Sequence, residues 1–424
     1  MAQCRRRRIG FFVGDEQTAV RARLIDRLKR RRFVEERFYI WLNETVRLPG
    51  VKTGRLLAAF GSPSAVYGAT ESALSRACPL TPPELARLDK KSLRLADKIL
   101  EECRKYKLGI LTIDRPEYPE LLRSIYDPPT VLYVRGRLPD LNATPCVAVV
   151  GKRKASPYGI IAAEKMGFGL SSAGVIVVSG MAEGADAAAH RGALWGGSPT
   201  VAVWGTAIDK CYPVFHVPLM REIEQNGVIL SEYPPGAVYH KNNFPRRNRI
   251  IAGLCLGTVI TEAGAQSGAL ITARLALDEG RDVFAIPGNI DQPASQGTNE
   301  LIAQSCARLV TGPQDVLDEY AALYAGRLQA IRPMTAPPAR RAQEEPIAAA
   351  FAAVSAQRAP ASTVGDAALS SQEERILSAL TGPLDVDTLS AKTGIGTAQL
   401  LGALPMLELR GAIRQLAGKR FERI

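Results

Sequence analysis

CVAVVGKRKASPYG, residues 146–159, decides the fold. An unbroken apolar run, Val147–Val150, ends on Gly151; the basic triplet Lys152, Arg153 and Lys154 follows, and the chain then turns helical. Apolar residues without polar alternation suit a strand covered on both faces, as in a parallel sheet. The same grammar recurs in Val175–Val178, Thr200–Trp204, Val228–Leu230, Thr258–Thr261, Val283–Ile286 and Arg308–Val310, with helical stretches between the runs. That alternation predicts an α/β domain, a parallel sheet with helices on both faces. Ligands of such sheets bind beyond the carboxyl ends of the strands.

Small residues crowd those ends, in SGMAEGAD (179–186), GTAID (205–209), EAGAQSGA (262–269) and PGNID (287–291). Backbone can approach a ligand closely there, and helix N-termini can offer free N–H groups to phosphates. The loop at Lys152, Arg153 and Lys154 is not a Walker A loop, since no Gly-Lys-Ser/Thr closes it. Nor is it a dinucleotide fingerprint, because the small-residue spacing is wrong and no acidic residue ends the second strand to hold a ribose. Three cations at a strand mouth suit a phosphate backbone better than one cofactor, so neither cofactor nor metal is expected.

A second basic cluster, Arg246, Arg247 and Arg249, lies in NNFPRRNRIIAGLCLG (242–257). The apolar residues Ile250, Ile251, Leu254 and Leu256 follow at once and must pack into a core. The arginines are then pinned at the mouth of a buried element, and three fixed guanidiniums suit a multi-phosphate anion. Ordinary surface charge on a solvated helix start is the plainer reading of such a cluster taken alone. Lys210 adds a cation after the third run, and Tyr158, Tyr212 and Phe244 are the aromatics placed for base stacking. Glu183, Asp186 and His190 fall together on a loop-to-helix segment, where capping and packing explain them better than acid–base chemistry. Asp209, Glu262 and Asp291 lie at three strand ends and are expected to orient arginines rather than bind metal.

Composition agrees with a polyanionic partner. The 424 residues carry 54 Lys and Arg against 42 Asp and Glu, a formal charge of +12. Seven scattered cysteines with no CxxC pair read as reduced thiols of a cytoplasmic protein. The start, MAQCRRRR, lacks the apolar core of a secretory signal, and no apolar stretch is long enough to span a membrane. The expected organisation is a basic arm over 1–35, a helical module over 36–109, the α/β domain over 110–320, a disordered linker over 321–369 rich in Ala, Pro, Arg, Ser and Gln, and a winged helix over 370–424. Within the helical module, LPGVKTGR (48–55) resembles the turn of a helix-hairpin-helix unit, with Lys52 where a glycine is usual.

With these residues in view the chain resembles the DprA/Smf family, the bacterial DNA-processing proteins of natural transformation. The resemblance is carried by Val147–Gly159, by SGMAEGADAAAH (179–190), SEYPPG (231–236), NFPRRNRII (243–251) and SGALITA (267–273), in order along the chain. It implies an extended Rossmann-like domain, flanked by a sterile-alpha-motif-like helical module and a winged helix. It also implies a non-enzymatic single-stranded-DNA binder that protects incoming DNA, forms a homodimer and helps load RecA. On that reading Arg153, Arg246, Arg247 and Arg249 contact phosphates, with Lys152, Lys154 and Lys210 at the margins. The chain departs from the family pattern at Lys152, where Ser is common, and at Glu183, where a basic residue is common. Two other readings remain open. Gly257-Thr258 and Glu262 loosely echo the loop of nucleotide-hydrolysing Rossmann variants, and the winged helix alone would suit a transcriptional regulator.

Overall fold

The computed structural model describes residues 35–48, 50–334 and 371–396, together with 399–400, 403–404, 407, 412–416 and 420–423. The basic arm, except Glu35, and the greater part of the expected linker lie outside the described residues. The chain divides into two units, at Pro338 and Ala339.

The first unit begins with a helical module. Helix α1 (35–46, closing in the π turn Trp41–Val46) leads to α2 (Gly50–Phe60), α3 (Pro63–Gly68), α4 (Glu71–Ala77), α5 (Pro82–Leu88) and α6 (Arg94–Lys105). Side chains stop and start these short helices: Ser62 caps α3 by accepting from Ala65 N–H, and Thr70 caps α4 by accepting from Ala73 N–H. Lys52 lies inside α2 and pairs with Glu84 at 2.7 Å, so it serves packing within the module.

The chain then builds one nine-stranded sheet. Its strands are β1 (Gly109–Thr112), β2 (Val131–Gly136), β3 (Cys146–Val150), β4 (Ile176–Ser179), β5 (Thr200–Trp204), β6 (Gly227–Ser231), β7 (Gly257–Ile260), β8 (Asp282–Ala285) and β9 (Arg308–Leu309). The connecting helices are α7 (Glu120–Arg123), α8 (Pro157–Ser172), α9 (Ala185–Gly196), α10 (Val217–Asn226), α11 (Asn243–Gly253), α12 (Gly268–Asp278) and α13 (Gln296–Ala303), and α14 (Pro313–Tyr320) follows β9. The order across the sheet is β1-β2-β6-β5-β4-β3-β7-β8-β9. The seven strands from β6 to β9 run parallel, and β1 and β2 extend one edge antiparallel. Progress reverses beside β3: β4, β5 and β6 are laid down on one side, and β7, β8 and β9 on the other. This doubly wound arrangement is the Rossmann-like sheet that the apolar runs predict.

Every residue of β3, β5 and β6 is buried, which is why these strands read as unbroken apolar runs. Alternate side chains serve opposite faces. Ala148, Val150, Val178 and Val203 pack with α11 and α12, while Val147, Val149 and Val177 pack with α8, α9 and α14. Ala202 and Trp204 point to that second face too, and there they share one buried cluster with the apolar residues of the helical module. The module is thus seated on the sheet, over the end that β1, β2, β6 and β5 form.

Glu44 is part of that seat. Its carboxylate accepts from Asn43 Nδ2 at 2.8 Å and from Tyr133 Oη of β2 at 3.4 Å. Burial raises its pKa to about 7, against the opposing pull of Asn43 and Arg47. Between pH 4.5 and 7 the native state therefore holds more protons than the unfolded chain, and stability falls as pH rises through that window. Glu44→Gln is expected to be on the order of 2 kcal/mol more stable than the parent protein at pH 8 and indistinguishable from it at pH 4.5. Thermal unfolding at the two pH values tests this; a Tm gain of equal size at both would refute the assignment.

The second unit holds helices Ser371–Ala379 and Val386–Thr393, with further helical residues at 399–400, 403–404 and 407. Its three-stranded sheet has the order β10 (Leu384–Asp385), β12 (Arg420–Arg423), β11 (Ile413–Leu416). Ile376, Leu389, Leu400, Leu404, Ile413 and Phe421 form its core. Helices closed by a small antiparallel sheet make the expected winged helix.

Candidate nucleic-acid interface

The carboxyl ends of β3, β4, β5 and β6 open onto one side of the sheet, and the start of α11 lies across them. The loops are held together by backbone as much as by side chains. Gly184 has φ +81°, and a Cβ there would stand 2.1 Å from Arg153 O, so only glycine lets the β4 loop lie against the β3 loop. Asp209 Oδ1 accepts from Gly236 N–H at 3.0 Å and ties the β5 loop to the β6 loop.

The three arginines of α11 do three different things. Arg246 is exposed, with 54% of its side chain accessible, and makes one long ion pair to Glu232 at 3.6 Å. Arg247 is 4% exposed. Its guanidinium donates to Gly180 O at 2.9 Å and to Val203 O, stitching the ends of β4 and β5 together. Arg249 is 8% exposed and is held by Asp127 at 2.9 Å and Glu232 at 2.7 Å. The expectation of three guanidiniums facing a phosphate thus meets a different arrangement, in which Arg247 and Arg249 bind protein and Arg246 alone faces out. Helical phase turns Arg247 inward, since it shares a face with Ile250, Ile251 and Leu254 at spacings of three, four and seven, whereas Arg249 lies off that face and is drawn in by Asp127 and Glu232.

Asp186 completes the Arg247 site. Its Oδ2 accepts from Gly180 N–H at 3.2 Å and Ala182 N–H at 3.4 Å. A Cβ on Gly180 would stand 2.5 Å from Arg247 Nη2 and 2.6 Å from Asp186 Oδ2, so carboxylate and guanidinium crowd that glycine together. Burial pulls Arg247 down to about 10 and raises Asp186, each partner opposing the shift of the other. His190 is fully buried, with Nδ1 2.8 Å from Thr200 Oγ1, and burial lowers its pKa to about 3. Asp186 and His190 are packed and hydrogen-bonded, as the packing reading has it, but Asp186 does not cap α9: Gly184 holds the cap position, and the carboxylate accepts from the preceding loop instead. Glu183 is exposed on the same loop.

The expectation that Asp209, Glu262 and Asp291 orient arginines does not hold. Asp209 binds backbone, Glu262 binds Ser156, and Asp291 is exposed. Asp127, Glu232 and Asp186 serve the arginines instead. Asp127 lies 122 residues before its partner, and no spacing rule points to a pair that distant.

Arg153 stands over the ring of Phe244, its guanidinium carbon 5.5 Å from the centroid. Tyr212 lies 5.4 Å and Tyr239 5.8 Å from Phe244, and the two tyrosine rings are 5.8 Å apart. Tyr212 and Tyr239 remain about half exposed, which leaves them free to receive further rings. Phe244 packs on Gly205 at the end of β5. Tyr239 joins the expected Tyr212 and Phe244; its place five residues before Phe244 in an exposed loop is the signal that sequence reasoning missed. Lys154 and Lys210 are exposed and Lys152 is half-buried, all on the loops that border this platform.

Tyr158 lies elsewhere. Its hydroxyl donates to Pro287 O at 2.7 Å, and it lines a separate cavity of about 560 Å³ with Glu262 and Ser156. That cavity sits where the sheet order reverses, between β3 and β7. There Glu262 accepts from Ser156 N–H at 2.8 Å and Ser156 Oγ at 2.5 Å, at the N-terminus of α8. The chain's own carboxylate occupies the position where a Rossmann nucleotide places its phosphate.

Among the described residues no helix is long and apolar enough to cross a membrane, and no group of three or more His, Cys, Asp and Glu is arranged to hold a metal ion.

Comparison with known proteins agrees with this architecture. Residues 109–321 match the family described as DNA recombination-mediator protein A, and residues 357–419 match the DprA winged helix domain. DNA processing protein DprA of Streptococcus pneumoniae is 49% identical over 203 residues, which cover 48% of this chain and 71% of that protein. Protein Smf of Synechocystis is 42% identical over 208 residues, so the matched part spans 52% of that relative. The X-ray structure of the Streptococcus pneumoniae DprA superposes with a TM-score of 0.59 at 37% identity, covering 67% of this chain and 97% of that one. Matches to both the α/β domain and the winged helix, at this level of identity, place the chain in the DNA recombination-mediator protein A family.

Proposed function

We propose that the protein binds single-stranded DNA across the mouths of β3 to β6 and delivers it to a RecA-type strand-exchange protein. One observation carries the proposal: the exposed cations Arg153 and Arg246 border a half-exposed platform of Tyr212, Tyr239 and Phe244. Arginines hold the sugar-phosphate chain, and aromatic faces receive bases that only a single strand can present. Arg247 and Arg249 position that surface from within, and Lys152, Lys154 and Lys210 extend its positive rim. The net charge of +12 favours the same class of partner. Protection of incoming DNA during transformation, loading of RecA, a homodimeric state and a cytoplasmic location complete the proposed reading, and family membership supports it. No step of this function requires bond-making chemistry.

The test is a competition assay with a labelled single-stranded oligonucleotide against unlabelled single strand, duplex and mononucleotide. Single strand should compete well ahead of the other two. Tyr239→Ala should weaken single-strand binding by about 5- to 100-fold, the value of one stacked base, and leave duplex binding unchanged. Equal competition by duplex, untouched by the substitution, would move DNA binding away from this face.

A further inference from the structure

Glu232 follows β6 at the mouth of the sheet and is 6% exposed. Two arginines of α11 converge on one of its oxygens. Arg249 Nη2 donates to Oε1 at 2.7 Å, and Arg246 Nη2 lies 3.6 Å from the same atom, beyond hydrogen-bond reach. The two arginines stand three residues apart, so one side of the helix brings both to this carboxylate. Arg249 is also anchored from behind. Its Nε donates to Asp127 Oδ2 at 2.9 Å, and Asp127 Oδ1 accepts at 2.7 Å from the N–H of Gly50, the first residue of α2. The buried guanidinium thus claims the shared oxygen, and the exposed one is left at a distance.

Resting on the single-strand reading above, we propose that Glu232 competes with the DNA phosphate for Arg246, and that Arg249 keeps this internal competitor weak. Carboxylate and phosphate are both oxyanions that a guanidinium grips with its fork, so Arg246 serves one at the expense of the other. The grip of Glu232 depends on the charge left over once Arg249 has bound it. In the parent protein that charge is largely compensated, and the pair to Arg246 is long, with the arginine half in solvent, so a phosphate displaces it readily. Among the described residues Arg246 is the one other ion-pair partner of Glu232. Without Arg249 the buried carboxylate would therefore draw Arg246 inward, because an unpaired buried charge is costly. Arg249 is in this sense a positioning residue for DNA binding, and Asp127 ties its placement to the helical module.

The experiment measures single-strand affinity, its salt dependence and Tm in the full-length protein. The variants are Glu232→Gln, Arg246→Gln and Arg249→Gln, and Glu232→Gln combined with each arginine substitution. Glu232→Gln keeps an oxygen for Arg249 and removes the competing charge, so it should bind about 2- to 3-fold tighter than the parent. In the Arg246→Gln background the same substitution should change nothing, which separates the proposal from a general effect of removing a negative charge. Arg249→Gln should bind about 10-fold more weakly, with a log–log salt slope shallower by about 0.7, the value of one phosphate contact. Adding Glu232→Gln should bring it back to within about 2-fold of the parent, a rescue that a purely structural role of Arg249 does not give. If Arg249→Gln fails to fold, Glu232→Gln with and without Arg246 still decides. No gain from Glu232→Gln, or an equal gain in both backgrounds, would overturn the competitor and leave the single-strand reading intact. A parent protein without affinity for single strand would overturn both.

Discussion

Arg247→Ala should cost about 3–5 kcal/mol of stability and lower the Tm of the first unit by roughly 10 °C. The substitution removes the guanidinium that serves the carbonyls of Gly180 and Val203 at the ends of two adjacent parallel strands. It also leaves Asp186, 7% exposed, as a buried carboxylate without its compensating cation. Breaking one side of a buried charge pair costs far more than the pair contributes, because the survivor keeps its full desolvation penalty. Adding Asp186→Asn should therefore restore part of the loss, by an amount that a double-mutant cycle measures. Arg247→Lys keeps the charge but loses the planar fork that reaches two carbonyls at once, and should fall between the alanine variant and the parent. Urea unfolding followed by near-UV circular dichroism reads all five proteins, the Asp186→Asn single variant included. An Arg247→Ala protein within about 0.5 kcal/mol of the parent would show that the strand ends do not depend on this side chain.

The neighbouring pair should behave in the opposite way. Arg153→Ala combined with Arg246→Ala is expected to lower single-strand affinity by about 10- to 100-fold at 150 mM salt while Tm stays within a few degrees of the parent. The exposed guanidinium of Arg246 makes one long ion pair, at 3.6 Å, to a buried Glu232 that Arg249 holds at 2.7 Å, so its loss should cost folding little. Arg153 is exposed, and its contact with Phe244 is a surface one. The parent protein, neutralising about 4–6 phosphates, should show a log–log salt slope near −3 to −4, and the double variant a slope shallower by roughly 1–1.5. Fluorescence anisotropy between 50 and 200 mM salt measures slope and affinity together. An unchanged slope would place the phosphate contacts on other cations, with Lys152, Lys154 and Lys210 the first to replace.

Arg246 and Arg247 adjoin in sequence, yet replacing one is expected to act on the ligand and replacing the other on the fold. Much of that distinction was within reach of the sequence. Ile250, Ile251 and Leu254 set the buried face of α11, and Arg247 falls on it at helical spacing, so its inward orientation follows from periodicity. What takes up its charge does not. Gly180, Val203 and Asp186 lie 67, 44 and 61 residues before it, and only the folded sheet brings them together.

The same division runs through the whole protein. The apolar runs by themselves determined a parallel sheet, because a strand buried on both faces must be apolar throughout. Their small-residue ends determined where loops can lie against one another, as at Gly180 and Gly184, and the closing helices and strands determined the winged helix. Tertiary structure alone decided which cations stay free, because a guanidinium can hold a phosphate only if no buried carboxylate or carbonyl has already claimed it. It decided that Tyr239 joins Tyr212 and Phe244 while Tyr158 faces another cavity, since ring contacts depend on how the β5 and β6 loops fold back over the sheet. And it decided that Glu262 closes the Rossmann phosphate position from within, a contact across 106 residues that depends on β3 and β7 lying side by side.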